Sequence, residues 1–398
     1  MRLPLPRGPV TRLLVDELTR PPHDLPAGPD AVLAAARGPA AAALEDEDLQ
    51  LALHVCYELH YQGFDEVDDG WEWHPSLLAL RQAAEARLER ALDAAVVRPP
   101  AVGAADLPGA LAALAAETRP EPSLTDFLRR RATREQFREF VVHRSIYHLK
   151  EADPHTWAIP RLRGRAKAAL VEIQADEYGG GRADRMHAEL FRATMRGLDL
   201  DDRYGAYLDE VPAITLAVTN VMSLFGLHRR HRAALLGHLA AFEMTSSIPN
   251  RDYARGLRRL GGDAAACRFY DEHVQADAVH EQIAGHDLCG AFTAGHPGSA
   301  AAVLFGAACC LTLDRLFGAH LLGRWRRGQT ALRRPRAAAD GRPAPVPPRP
   351  GPPRPGLSRP GLSRPGLPVP GTPASGATAP AAAAPDVPVP ALPRAESP

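Results

Sequence analysis

From Glu45 to Arg327 the apolar residues recur at helical spacing, and this pattern excludes most folds open to a chain of 398 residues. Leu49, Leu53 and Cys56 stand at i, i+4 and i+7 and begin the first stripe. The segment WEWHPSLLALRQAAEARLERAL starts another at Pro75, a residue suited to a first helical turn. Ser123 to Asp126 resembles a capping box with Asp in its final position. Further helices are expected over Thr133–Ala152, Arg161–Tyr178, Arg182–Leu198, Val211–Leu224, His228–Met244, Asp252–Leu260, Ala264–His286 and Ser299–Trp325. No segment alternates like a strand between hairpin turns, and no GxGxxG or Walker A motif occurs. The expectation is an all-α bundle of about seven or more helices.

Composition divides the chain. The 47 basic and 47 acidic residues cancel, but residues 331–398 carry nine arginines against three acids. They also hold 20 of the 39 prolines, none of the 16 histidines, and PGLSRP twice. Such a stretch buries too little to offset chain entropy, so it reads as a disordered tail with polyproline II character. Residues 1–44 read as a partly irregular N-terminal extension, and 45–330 as the helical domain. The neutral whole-chain balance argues against nucleic-acid binding. Five cysteines with no CxxC spacing suggest neither a disulfide framework nor a zinc site, which points to a reducing cytoplasm. Prolines interrupt the N-terminus where a signal peptide needs an apolar run. The apolar stretch Ser299–Leu313, stopped by Asp314, reads as a buried helix too short to span a bilayer, so no membrane is expected.

Three segments could carry chemistry. His273, Asp277 and His280, spaced i, i+4 and i+7, share one helix stripe, with Val274, Val279 and Ile283 available to bury the flanks. A bundle metal site needs such inward-projecting ligands, although a solvated polar face has the same pattern. Glu177 and His187 lie ten residues apart across Gly179-Gly180-Gly181, and those glycines favour a break. The break would re-aim His187 toward Glu177, or serve as a hinge between surface helices. Glu151 closes a helix before Pro154, where an acid opposes the helix dipole and calls for a compensating cation or metal. Glu243, an acid within the helical segment LAAFEMTSS, either supports a metal ligand or pairs with an arginine such as Arg251. Asp176 reads as surface or supporting. His148, His155 and Tyr270 could orient ligands or contact substrate, and Trp71 and Trp73 are expected to cover the core.

Taken together, Glu151, Glu177-x9-His187 and His273-x3-Asp277-x2-His280 resemble the ligand pattern of the haem-oxygenase-like diiron oxidases and oxygenases. The wording of YHLKEADPHTWAIPRL, VEIQADEYGGGRADRMHAELF and FYDEHVQADAVHEQI is similar to bacterial iron-containing redox enzymes. The resemblance covers about Glu45 to Arg327. It implies a haem-oxygenase-like bundle in which those six residues bind two irons, with Glu243 and Tyr270 as supporting candidates. It further implies oxygen as co-substrate and N-oxygenation, C–C cleavage or desaturation of a small-molecule substrate. It leaves room for an external electron donor and a homodimer. Imidazole and carboxylate suit iron, and two Fe(II) ions against three carboxylates leave about one positive charge for an exogenous anion. The alternatives are a metal-independent, thiaminase-like or cofactor-free enzyme using Cys267 or Cys289, and a noncatalytic scaffold acting through the tail.

Overall fold

The computed structural model describes residues 1–26, 33–34, 39–117 and 123–333, without a side-chain account of 40, 41, 117 and 275–278. The proline-rich tail from residue 334 onward lies outside the described residues. The described part is all-α, with no strand among its residues. Its helices are α1 (Pro9–Leu18), α2 (Glu47–Glu58), α3 (Pro75–Ala95), α4 (Leu107–Glu117), α5 (Leu124–Arg130), α6 (Arg134–His148) and the single turn α7 (Asp153–Thr156). They continue as α8 (Gly164–Glu177), α9 (His187–Gly197), α10 (Ala213–Leu227), α11 (Arg232–Arg259), α12 (Ala264–Gln282), α13 (Ala291–Gly295) and α14 (Ala300–Arg326).

The starts follow from local chemistry. Ser123 accepts a hydrogen bond from the Asp126 amide, and Thr133 with Gln136 forms a full capping box on α6. Residues read as the N-terminal extension supply α1. Its free amides at Val10 and Thr11 donate to the Asp48 carboxylate of α2, 2.8 Å each. Val10, Leu14 and Leu18 then pack with Trp71 and Leu80 in a smaller core beside the main one.

Three expectations changed. Pro249 does not end a helix: α11 runs through it, because the residues on both sides are buried against α12 and α14. The ring removes only one backbone donor, the one that would reach the Thr245 carbonyl. The helix expected over Ser299–Trp325 forms, as Ala300–Arg326, but its apolar run is not cut short at Asp314: Pro297–Arg326 is long and apolar enough to cross a bilayer. Val303, Leu304, Ala307 and Leu321 of this helix are buried in the core, where it packs along α11. Trp71 is fully buried, whereas Trp73 stands 61% exposed and rests edge-on against His60.

Glycines fix the closest helix crossing. A Cβ at Gly237 of α11 would strike the carbonyl of Val303, and one at Gly306 of α14 would strike that of Ala234. Each backbone therefore occupies the space a side chain would need on the other. The five cysteines are free and buried.

Candidate metal centre

The centre forms where α6, α8, α9, α11 and α12 converge. Helix α6 ends at His148, and the chain passes Glu151 into Ala152, whose φ of +74° turns it sharply. Gln174 Nε2 donates to the Ala152 carbonyl at 2.9 Å and holds this turn against α8. Pro154 then opens α7 instead of merely stopping α6. Glu151 is thereby buried, with Oε1 2.8 Å from His148 Nδ1 and 3.7 Å from His273 Nε2. The compensating groups expected at this helix end are these two imidazoles. The neighbouring Lys150 points elsewhere, to Glu58 at 2.8 Å. Burial opposes the Glu151 charge, but His148 and His273 outweigh it and hold the carboxyl well below its usual range.

Helix α8 stops at Glu177. Gly179, Gly180 and Gly181 follow with φ of +65°, +61° and +80°, and α9 restarts with His187. The break brings His187 Nδ1 to 2.9 Å from Glu177 Oε2. The two atoms form a close charge contact but lack hydrogen-bond alignment. Both are buried, as is Glu151 Oε2, which has no hydrogen-bond partner either. Burial disfavours charge on His187, yet Glu177 raises its pKa above the ordinary value.

On α12, the His273 Nδ1 proton is taken by the Phe269 carbonyl at 2.8 Å. That fixes the tautomer and leaves Nε2 as a lone-pair donor on the Glu151 side, the arrangement second-shell partners give metal-binding histidines. His280 lies two turns on. Its Nε2 meets Asp176 at 3.0 Å and its Nδ1 faces Glu243 at 3.3 Å. Burial alone would lower His280, but Glu243 and Asp176 raise it to about 9. Asp277 lies on the same helix, and its side chain is outside the described residues. Of the apolar residues expected to bury this helix, Ile283 is buried, Val274 is half-buried and Val279 is exposed.

Two donor groups result. One ligand atom each from Glu151, Glu177, His187 and His273 falls within 4.8 Å of the others, and Glu177, Glu243 and His280 meet the same limit. Glu177 belongs to both. Glu243, expected in a supporting role, therefore stands in a donor group itself. Tyr270 does not support the ligands through its hydroxyl, which has no hydrogen-bond partner and lies in the wall of a neighbouring cavity. The enclosed donor set fits a metal: imidazole and carboxylate atoms converge, and three of them are buried without a hydrogen bond. Glu151, Glu177, Glu243 and His273 line a cavity of about 10 Å³, the size of one water or ion. His155 also lines it, with Nδ1 unpartnered, Nε2 3.3 Å from His238, and its pKa lowered to about 4 by burial. Phe191 and Phe269 pack on His148 at 4.7 and 4.8 Å between ring centres and close this side to water.

The sequence reading missed His238 and Arg144. The latter lies one turn before His148 on the same face of α6, and Glu151 follows just past the helix end, so its spacing could have revealed it.

Residues 138–315, just under half of the chain, match the sequence profile of a family described as iron-containing redox enzyme. A nitrosourea synthase from Streptomyces achromogenes subsp. streptozoticus is 25% identical over 136 residues. That match covers 34% of this chain and only 29% of the synthase, so the chain spans under a third of this relative's length.

Proposed function

We propose that this chain, which over residues 138–315 belongs to the iron-containing redox enzyme family, is an oxygen-dependent non-haem diiron oxidase or oxygenase of a small organic metabolite. The observation that carries this reading is the position of Glu177 in both donor groups. A carboxylate offers two oxygens, so Glu177 can serve two metal positions at once. Glu151, His187 and His273 would complete one position, and Glu243 with His280 the other. When bound, iron supplies the one-electron and oxygen chemistry that side chains lack.

The protein's own part is orientation and exclusion of water. The Phe269 carbonyl holds His273, His148 holds Glu151, and Asp176 holds His280. Burial of both donor groups removes competing solvent and strengthens each electrostatic contact. The match to a nitrosourea synthase makes oxidation at nitrogen the first outcome to test, before C–C cleavage or desaturation. A cysteine-based alternative fares worse: Cys267 and Cys289 are buried, and burial raises both thiols, the reverse of an activated nucleophile.

Anaerobic Fe(II) titration of the full chain tests the reading. Saturation near two irons per chain is expected, with Glu177→Ala losing both and His280→Ala losing one while the helical circular dichroism is kept. Iron binding no greater than background overturns the proposal.

A further inference from the structure

Beside the metal centre lies a larger cavity of about 110 Å³, and Glu151, His148 and His273 form one end of its wall. Three helices agree on its polarity. On α6, Arg144 lines the cavity one turn before His148, which bonds Glu151 just past the helix end. On α12, Tyr270 lines it one turn before His273, and on α11 Tyr253 lines it ten residues after Glu243. Each helix thus carries a polar wall residue set apart from a member of the metal cluster.

The wall residues gather at one place. Tyr253 and Tyr270 meet edge-on at 5.8 Å, and Tyr253 lies 4.8 Å from Phe140. The Arg144 guanidinium sits over Phe140 and Phe317 at 5.6 and 4.6 Å. Its Asp314 partner, at 2.7 Å, is an exposed carboxylate that engages a single nitrogen of the five-donor fork, and the Tyr253 hydroxyl is a second partner of the guanidinium. Among the described lining residues Arg144 is the one permanent cation. The Tyr270 hydroxyl is buried in the same wall without a partner. A buried phenol O–H with no acceptor beside a guanidinium asks for an anionic acceptor. Val218, Met222, Leu311 and Leu313 supply an apolar part of the remaining wall, and Thr125, Thr245, Ser246 and Asn250 a neutral polar part.

We propose that this cavity binds a small organic acid, its carboxylate held by Arg144 and Tyr270 and its reacting end laid against Glu151 and His273. The claim about the reacting end rests on the metal-centre reading above, whereas the acid-binding end does not. An amine at the Arg144 end would meet a like charge, and a neutral amide would leave the guanidinium's charge unused.

Equilibrium binding of hexanoate and of its uncharged isostere hexanamide tests this on the full chain, both iron-loaded and stripped with a chelator. Hexanoate is expected to bind about tenfold or more tightly than hexanamide in both preparations. Arg144→Met should abolish the preference, and Tyr270→Phe, which removes one oxygen, should reduce it several-fold. Should Arg144→Met fail to fold, Tyr270→Phe decides alone, and an unchanged preference there overturns the proposal. Equal affinity for the two probes, or no binding of hexanoate at millimolar concentration, overturns it too. So does a preference that vanishes when iron is stripped, because the acid then sits on the metal. Iron content of the same samples keeps the readings apart: a carboxylate preference in a chain that takes up no Fe(II) when iron is supplied sustains the acid site and sinks the diiron reading.

Discussion

Glu177 Oε2 lies 2.9 Å from His187 Nδ1, although ten residues and three consecutive glycines separate the two along the chain. The distance depends on the way the chain reverses after α8. Gly179 has φ of +65°, and a Cβ there would come within 2.6 Å of the Arg185 backbone carbon and 2.7 Å of the Met186 nitrogen. Gly180 also has positive φ, but a Cβ there meets nothing within 4 Å. Gly179→Ala should therefore move the start of α9 and with it His187, whereas Gly180→Ala should cost only about 1 kcal/mol of backbone strain. Iron per chain and melting temperature, measured on both variants, separate the cases. Full iron content in Gly179→Ala would show that the turn does not set the site.

Glu243 and Asp176 face His280 from opposite sides, and their exposure assigns them different work. Glu243 is buried and shares its donor group with Glu177, while the Asp176 side chain is 63% exposed. Glu243→Ala is expected to leave one iron per chain. Asp176→Asn should keep both but weaken binding by about 10- to 100-fold, the usual effect of losing a partner that orients a ligand. Competition with a calibrated chelator reads both effects. Two tightly held irons in Glu243→Ala would return this acid to a supporting role.

The contrast between Glu243 and Glu177 shows how far a sequence reading reaches here. Glu177 and His187 were legible because the glycines between them act locally: three such residues break a helix whatever surrounds them. Glu151 was legible for a similar reason, as an acid at a helix end before proline. The stripe of His273 and His280 follows from helical period alone. Glu243 depends instead on the rotation of α11, and that rotation is set by packing. The close approach at Gly237 and Gly306 and the continuation through Pro249 fix it, and both depend on a second helix far away in sequence. The fold class and the length of α14 were legible from periodicity, but the joining of His228–Met244 and Asp252–Leu260 through Pro249 was not. Asp314 lies on the exposed side of α14 and bonds Arg144, so a charge need not end an apolar run.

His143 supplies a pH dependence independent of the metal. Its Nδ1 bonds Thr215 Oγ1 at 2.6 Å, and its Nε2 is buried without a partner. Burial foremost, with His320 and Arg144 nearby, lowers its pKa to about 3 from an ordinary 6.5. The folded state thus binds this proton less readily than the unfolded chain. Its contribution to stability is complete above pH 6.5 and declines as pH falls toward 3, by up to about 1.4 kcal/mol per pH unit. Urea unfolding of metal-free protein at pH 7, 6, 5 and 4 should show the loss, and His143→Gln should make it shallower without abolishing it, because burial also lowers His54, His155 and His238. An identical slope in that variant would assign the acid sensitivity to other groups.

The crossing of α11 and α14 offers the clearest test of packing. Gly237 and Gly306 each face a backbone carbonyl of the other helix, so neither site has a flexible side chain that could yield. Ordinarily, Gly→Ala inside a helix stabilises by about 1 kcal/mol through helix propensity. Here the added methyl forces the helices apart over buried neighbours such as Leu236 and Val303, and overpacking of this kind costs about 1–3 kcal/mol or more. The net sign should reverse, with Gly237→Ala and Gly306→Ala each lowering the melting temperature. Because α11 also carries Glu243, separation of the helices should lower iron affinity at the His280 position before the Glu151 position. A Gly237→Ala protein that melts no lower than wild type and holds its iron equally well would show that the two helices do not approach so closely.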